Sequence, residues 1–198
     1  MIVDKSYPGL TRDEYGIYHL EGDLVSEDSI VIQLDGQLIV SGSIDAGGSI
    51  KSGDFIKAGE SIDAGGSIDA GGSIDAGESI NAGGFIDAGW SIDAGKSIDA
   101  GESIDAGGFI DAEESINAGK SINAGGSIDA GWSIKAENGI NAGSFIRANT
   151  YVSSGFRIFA GLSPYETSDT CDKAIQCAEL RNGEIAYGEL VITVGANE

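Results

Sequence analysis

Proline occurs twice in 198 residues, cysteine twice, histidine once, and lysine and arginine together only 11 times. Each scarcity excludes something. Against those 11 basic residues stand 32 acidic ones, a net charge of -21, so the chain lacks the cationic surface that nucleic acid or an anionic membrane requires. A basic partner suits such a chain. No apolar run reaches the length of a bilayer span, and residues 1–16 have no cationic start followed by an apolar core, so no secretory signal is expected. Cys171 and Cys177, with the distant His19, fall short of the four closely spaced ligands of a zinc site. They read as free thiols in a reducing cytosol; no metal and no cofactor is expected.

What the chain has instead is one word repeated. From Ile44 to Ile146 an isoleucine falls at every sixth position, eighteen times without insertion or deletion, in the consensus Ser-Ile-Asp-Ala-Gly-x. A helix needs apolar residues three and four apart, which a period of six does not supply. In an extended segment alternate side chains face opposite ways, so Ile and Ala point inward while Ser and Asp point outward. Gly-x then makes a corner, with glycine expected there for backbone angles that a Cβ disfavours. One hexad cannot bury its own isoleucine. Stacking coil on coil does so, placing Ile over Ile with the backbones paired as parallel strands.

The expected fold is all-β: a single-stranded parallel β-helix with three hexads, about 18 residues, per coil and non-repeat caps at both ends. Weaker hexads extend the phase upstream, with Ile32 and Leu38 in the Ile slot and Leu34 and Val40 in the Ala slot, and downstream through Val152 and Ile158. The expected divisions are an N-terminal cap over 1–31, a repeat body over 32–162, and a cap or dimerisation element over 163–198. The body makes about seven coils, a rod of roughly 34 Å at about 4.8 Å per coil. Asn182-Gly183, lying between two apolar-rich runs, predicts a two-residue β-hairpin in the last segment and offers a route to a homodimer.

The hexad resembles several repeat families. The period is similar to that of hexapeptide acyltransferases, but their small inward residue precedes the aliphatic one by two positions, whereas in Ile68-Asp69-Ala70 it follows; no catalytic residue carries over. Gly-Gly-x-x-Asp resembles calcium-binding nonapeptide repeats without their period of nine. Bactofilins are similar in their short glycine-punctuated strands and polymerise end to end, and pentapeptide-repeat proteins, some of them acidic mimics of duplex DNA, share the rod architecture at a period of five. The body also resembles the Ser-Ile-x-Ala-Gly repeats of phage and prophage proteins. That resemblance implies an anti-defence inhibitor of the anti-CRISPR kind, acting in the cytoplasm of a bacterial host.

With 18 residues per coil the Asp slot forms three columns. One runs Lys57, Asp75, Asp93, Asp111, Asp129, Arg147; the second Lys51, Asp69, Asp87, Asp105, Asn123, Asn141; the third Asp45, Asp63, Asn81, Asp99, Asn117, Lys135. Stacked carboxylates repel one another, and they serve either as a solubilising face or as a charge ladder resembling a nucleic-acid backbone. The aromatic exceptions favour an interface: Trp90 beside Phe109, and Trp132 beside Tyr151, combine rings with charge as interface hot spots do. Candidate binding residues are therefore Asp75, Asp93, Asp111 and Asp129, Asp69, Asp87 and Asp105, and the pairs Trp90/Phe109 and Trp132/Tyr151.

These features predict a non-enzymatic acidic binding protein that blocks a basic, nucleic-acid-binding host protein or complex, by mimicry or by occlusion, without itself touching nucleic acid or membrane. The alternative is a self-assembling scaffold or fibre element. Thr150 is the only threonine of the body, which disfavours a threonine ladder for ice. Glycine at every corner with no following helix excludes a phosphate loop, and no nucleophile with its base is in sight.

Overall fold

The structure is a computed structural model that describes residues 1–161 and 173–193. It is a β-solenoid of about nine coils, built of three-residue parallel strands on three faces. The register is that of the 18-residue coil: Ile62 lies over Ile44, Ile68 over Ile50 and Ile74 over Ile56, and each Ala over an Ala or Ser in the same way. Every isoleucine from Ile44 to Ile146 in that slot is fully buried, which stabilises the fold by about 1.5–3 kcal/mol per side chain relative to exposure.

Three-residue strands suffice because the corners are bonded as well. The Ile44 amide donates to the Ser61 carbonyl at 2.9 Å, the Gly65 amide to Ala46 at 2.9 Å, and the Gly84 amide to Gly66 at 2.9 Å. The hydrogen-bond ladder thus continues from strand through bend. The consensus serine joins it: the Ser49 hydroxyl accepts the Ser67 amide at 3.0 Å, and Ser67 accepts the Phe85 amide at 3.1 Å.

The corner glycines have a different cause from the expected one. None in the regular body has positive φ. A Cβ on Gly71 or Gly83 would instead run into the carbonyl of Gly53 or Gly65 in the coil beneath. Close vertical approach, not backbone handedness, selects glycine there.

The ends depart from expectation. Tyr18–Leu20, Leu24–Ser26 and Ile30–Ile32 already form a coil, pairing in parallel with Leu38–Val40, Ile44–Ala46 and Ile50–Ser52. Ile30 takes the Ile slot and Ile32 the Ala slot, two residues out from the sequence phase. Tyr18 pairs with Leu38 and Ile30 with Ile50, so this coil is longer than 18 residues, and Leu34 lies in its enlarged corner rather than in the Ala slot. Only residues 1–12 act as a lid. Ile2–Val3 pairs with Ile30–Ile32, Thr11–Arg12 pairs antiparallel with Tyr18–Leu20, and Val3 is fully buried, with Met1, Tyr7 and Leu10 packed on the core. Lys5 and Tyr18 both hold Asp35, at 2.8 and 2.6 Å, tying the lid to the long corner.

At the other end Asn182-Gly183 forms no hairpin. Glu179–Tyr187 runs through Asn182-Gly183 as one strand, parallel to Tyr151–Ala160. Gly183, at φ 107°, turns a corner over Ser154 and Ile158 instead of reversing the chain. Glu189–Ile192 then pairs with Ala174–Cys177 on the next face. Coils added ahead of the expected start at Ile32 and by residues 174–192 beyond the expected end account for the two coils over the seven expected. Cys177 is a free, fully buried thiol in the Ala slot, its pKa raised chiefly by burial; Cys171 lies outside the described residues.

Candidate interface on the Asp93 face

All three columns stand in register, but their chemistry differs. On the Asp93 face the order is Lys57, Asp75, Asp93, Asp111, Asp129, Arg147. Both ends are clamped. The Lys57 ammonium donates to Asp75 at 2.5 Å, and the Arg147 guanidinium grips Asp129 through Nε at 3.0 Å and through its terminal nitrogen. Asp93 and Asp111 are left between them without a cation of their own. Burial on the sheet, then the stacked neighbours, pushes both carboxyls above their usual pKa; the neighbours are Asp75 for Asp93, and Asp129 and Asp93 for Asp111.

The second column is more compensated. Lys51 donates to Asp69 at 2.9 Å, Asn123 to Asp105 at 2.6 Å and Asn141 to Asn123 at 2.6 Å. Only Asp87 stands bare, its pKa raised by burial and then by Asp105 and Asp69. The third column floors a groove of about 680 Å3, yet its polar groups largely satisfy each other. Asn81 donates to Asp63 at 2.7 Å and Asn117 to Asp99 at 2.8 Å. Corner pairs Lys96–Glu78 and Lys120–Glu102, at 2.8 and 3.0 Å, remove further charge elsewhere.

The aromatic partners also differ from those expected. Trp90, 63% exposed, meets Phe55 edge-on, with centroids 5.4 Å apart and planes at 70°; it was Phe109 that the sequence placed beside it. Phe55 and Phe109 instead flank one groove of about 370 Å3 whose floor includes Lys57, Asp75 and Asp93. Trp132 and Tyr151 do not form a unit either. Trp132 is exposed and uses its carbonyl to accept the Thr150 amide at 2.8 Å, while the Arg181 guanidinium covers the Tyr151 ring at 3.7 Å.

The Asp93 face therefore brings together two uncompensated carboxylates and an aromatic corner. The sequence singled out these acids and Trp90 as candidates but did not pair Trp90 with Phe55. The signal was Gly72, which sits under Trp90 in the winding and leaves the gap through which the indole reaches Phe55. Among the described residues no group of three or more His, Cys, Asp or Glu is placed to hold a metal ion. Compared with family models, curated proteins and solved structures, the chain matches none.

Proposed function

We propose that the protein is a non-enzymatic binding protein whose Asp93 face docks on the basic groove of a nucleic-acid-binding protein and takes the place of the nucleic acid. The observation that carries this reading is that Asp93 lines one groove with the Phe55 and Phe109 rings, while Trp90 stands edge-on to Phe55 and Asp111 is the next carboxylate of the column. A guanidinium is the matching group: it pairs with carboxylates and stacks on aromatic faces. Carboxylates at about 4.8 Å along the rod approach the spacing of phosphates along a strand, about 3.4 Å. The charge steers encounter, and the rings supply selectivity beyond charge. The resemblance to phage repeats makes an anti-defence inhibitor in a bacterial cytoplasm the form this activity takes.

A self-assembling scaffold is the weaker reading, because the lid formed by residues 1–12 blocks one end from stacking.

The test is capture from a nuclease-treated bacterial lysate on the immobilised protein. Nucleic-acid-binding proteins are expected on the resin, released by added duplex DNA and by salt, and lost with Asp93→Asn/Asp111→Asn but not with Asn117→Ser/Asn123→Ser. Retention indifferent to DNA and salt, or equal loss with both variants, overturns the mimicry.

A further inference from the structure

The geometry points to a second docking surface at the carboxy-terminal end of the winding, and to a second copy of this chain as its occupant. The two ends of the solenoid are unlike. At the first, Val3 is fully buried, and Ile2–Val3 and Thr11–Arg12 cover the edges of two of the three strands of the first coil, Ile30–Ile32 and Tyr18–Leu20. At the last coil, among the described residues, Glu179–Tyr187 pairs only with Tyr151–Ala160, and Glu189–Ile192 only with Ala174–Cys177. Among the described residues nothing pairs with their outer edges, so a row of backbone donors and acceptors faces outward from two strands.

The interior is open at the same place. Leu190 follows Ile175 in the inward Ile slot and Ile192 follows Cys177 in the Ala slot. Their predecessors are fully buried, whereas Leu190 and Ile192 are 42% and 49% exposed. The outward columns change character too. The Asp93 column finishes in Gln176 and Val191, and the Asp87 column in Phe159 and Tyr187. The end of the rod thus shows apolar residues in its inward slots and at the tops of two outward columns, Val191 and Tyr187.

The partner must offer a coil-shaped strand edge around an apolar centre. The lidded end offers only the short edge of Leu24–Ser26 beside a covered centre, which disfavours head-to-tail growth. The same end of another copy offers such an edge, and a two-fold axis across the rod makes the contact isologous and closed. Glu189–Ile192 then runs antiparallel to its equivalent, and the two halves of Glu179–Tyr187 exchange places with those of the partner. Charge permits it. Where the whole chain carries -21, this rim holds both signs already paired, Arg181 with Glu179 at 2.9 Å and Arg157 with Glu184 at 3.9 Å. Tail-to-tail contact also points the acidic bodies away from each other. The inference stands apart from the reading of the Asp93 face.

Sedimentation equilibrium of the unaltered chain tests it. The expected mass is twice the 20.2 kDa of one chain, with Leu190→Glu/Ile192→Glu raising the dissociation constant more than a hundredfold and Val25→Glu, at the lidded end, leaving it unchanged. A second readout guards against simple fraying of the altered coil: in the unaltered chain, amide exchange over 189–192 should slow as concentration rises. A single-chain mass, as when the chain's own segments cover this end, a ladder of higher masses, or exchange independent of concentration overturns the inference.

Discussion

The Trp90 indole stands edge-on to the Phe55 ring, 5.4 Å between centroids, although the two residues lie nearly two coils apart in the winding. Gly72 makes the contact possible, since a Cβ there would come within 2.7 Å of the Phe55 ring. Aromatic pairs of this geometry contribute about 0.5–1.5 kcal/mol beyond area burial. A double-mutant cycle on Trp90→Ala and Phe55→Ala should return a coupling energy in that range by chemical denaturation. Gly72→Ala should abolish most of it; a coupling unchanged by Gly72→Ala would show that the ring contact does not depend on the gap.

Asp93 and Asp111 make the fold pH-dependent in an unusual direction. Their carboxyls titrate above the ordinary value of 3.8, so between that value and their raised pKa the folded state binds more protons than the unfolded one. Stability must then fall as pH rises through this window and rise as the solution is acidified. Below about 3.8 the sign reverses. Asp4, Asp13 and Asp35, held below their usual pKa by Ser6, His19 and Lys5 respectively, lose their favourable contacts there. Melting temperature should therefore climb from pH 7 into the mildly acidic range and then drop. Asp93→Asn/Asp111→Asn should flatten the climb and stabilise the protein at pH 7 by a few tenths to about 1 kcal/mol. If the Asp93 face binds as proposed, the same variant binds worse while folding better, the mark of charge kept for function.

The period of the sequence carried the architecture because a six-residue word leaves little freedom. Ile and Ala two apart, with a corner following, bury themselves only by stacking, and the absence of insertions from Ile44 to Ile146 sets 18 residues per coil. The ends were harder because there the word dissolves. Ile30 and Ile32 are two apart, so either can begin a hexad; the enlarged corner holding Leu34 and Asp35 shifts the phase, and only the pairing of Ile30 with Ile50 decides it. Asn182-Gly183 is a hairpin signal when two strands have only each other. Here the open edge of Tyr151–Ala160 competes for the strand, and continuing the coil packs Leu180 and Ile185, half-buried, against the core. Trp90 with Phe55 was legible only through a glycine, a residue whose message is the space it leaves.

Crowding between coils separates glycines that look alike in sequence. Gly71 sits directly over the Gly53 carbonyl, whereas Gly53 has nothing within 4 Å of a would-be Cβ. Gly71→Ala should cost about 1–3 kcal/mol, in the range of overpacking, while Gly53→Ala should change stability by less than about 0.5 kcal/mol, as open surface sites do. Glu113 occupies an equivalent corner slot and still bonds its amide to Ala94, at 3.2 Å, so the winding yields locally and the Gly71 variant should remain folded. Equal effects at the two positions in urea titrations would return the glycines to a purely conformational role.

Asparagine in the columns is a donor where aspartate would be a second anion. Asn81 gives Asp63 a hydrogen bond of 2.7 Å and sits next to Asp99 in the coil above. Asn81→Asp removes the donor and completes a stack of four carboxylates from Asp45 to Asp99, adding two adjacent pairs each unfavourable by about 0.2–1 kcal/mol. The expected loss is about 1–2 kcal/mol at pH 7, shrinking at pH 4 and at high salt as the repulsion is protonated away or screened. The reverse change should be mild. Asp99→Asn places two asparagines in sequence with Asn117, and the Asn141–Asn123 pair at 2.6 Å already bonds in that arrangement on the neighbouring face. Thermal melts of both variants at two salt concentrations check the asymmetry. If Asp99→Asn destabilises as much as Asn81→Asp, the asparagines act by shape rather than by supplying a donor between charges.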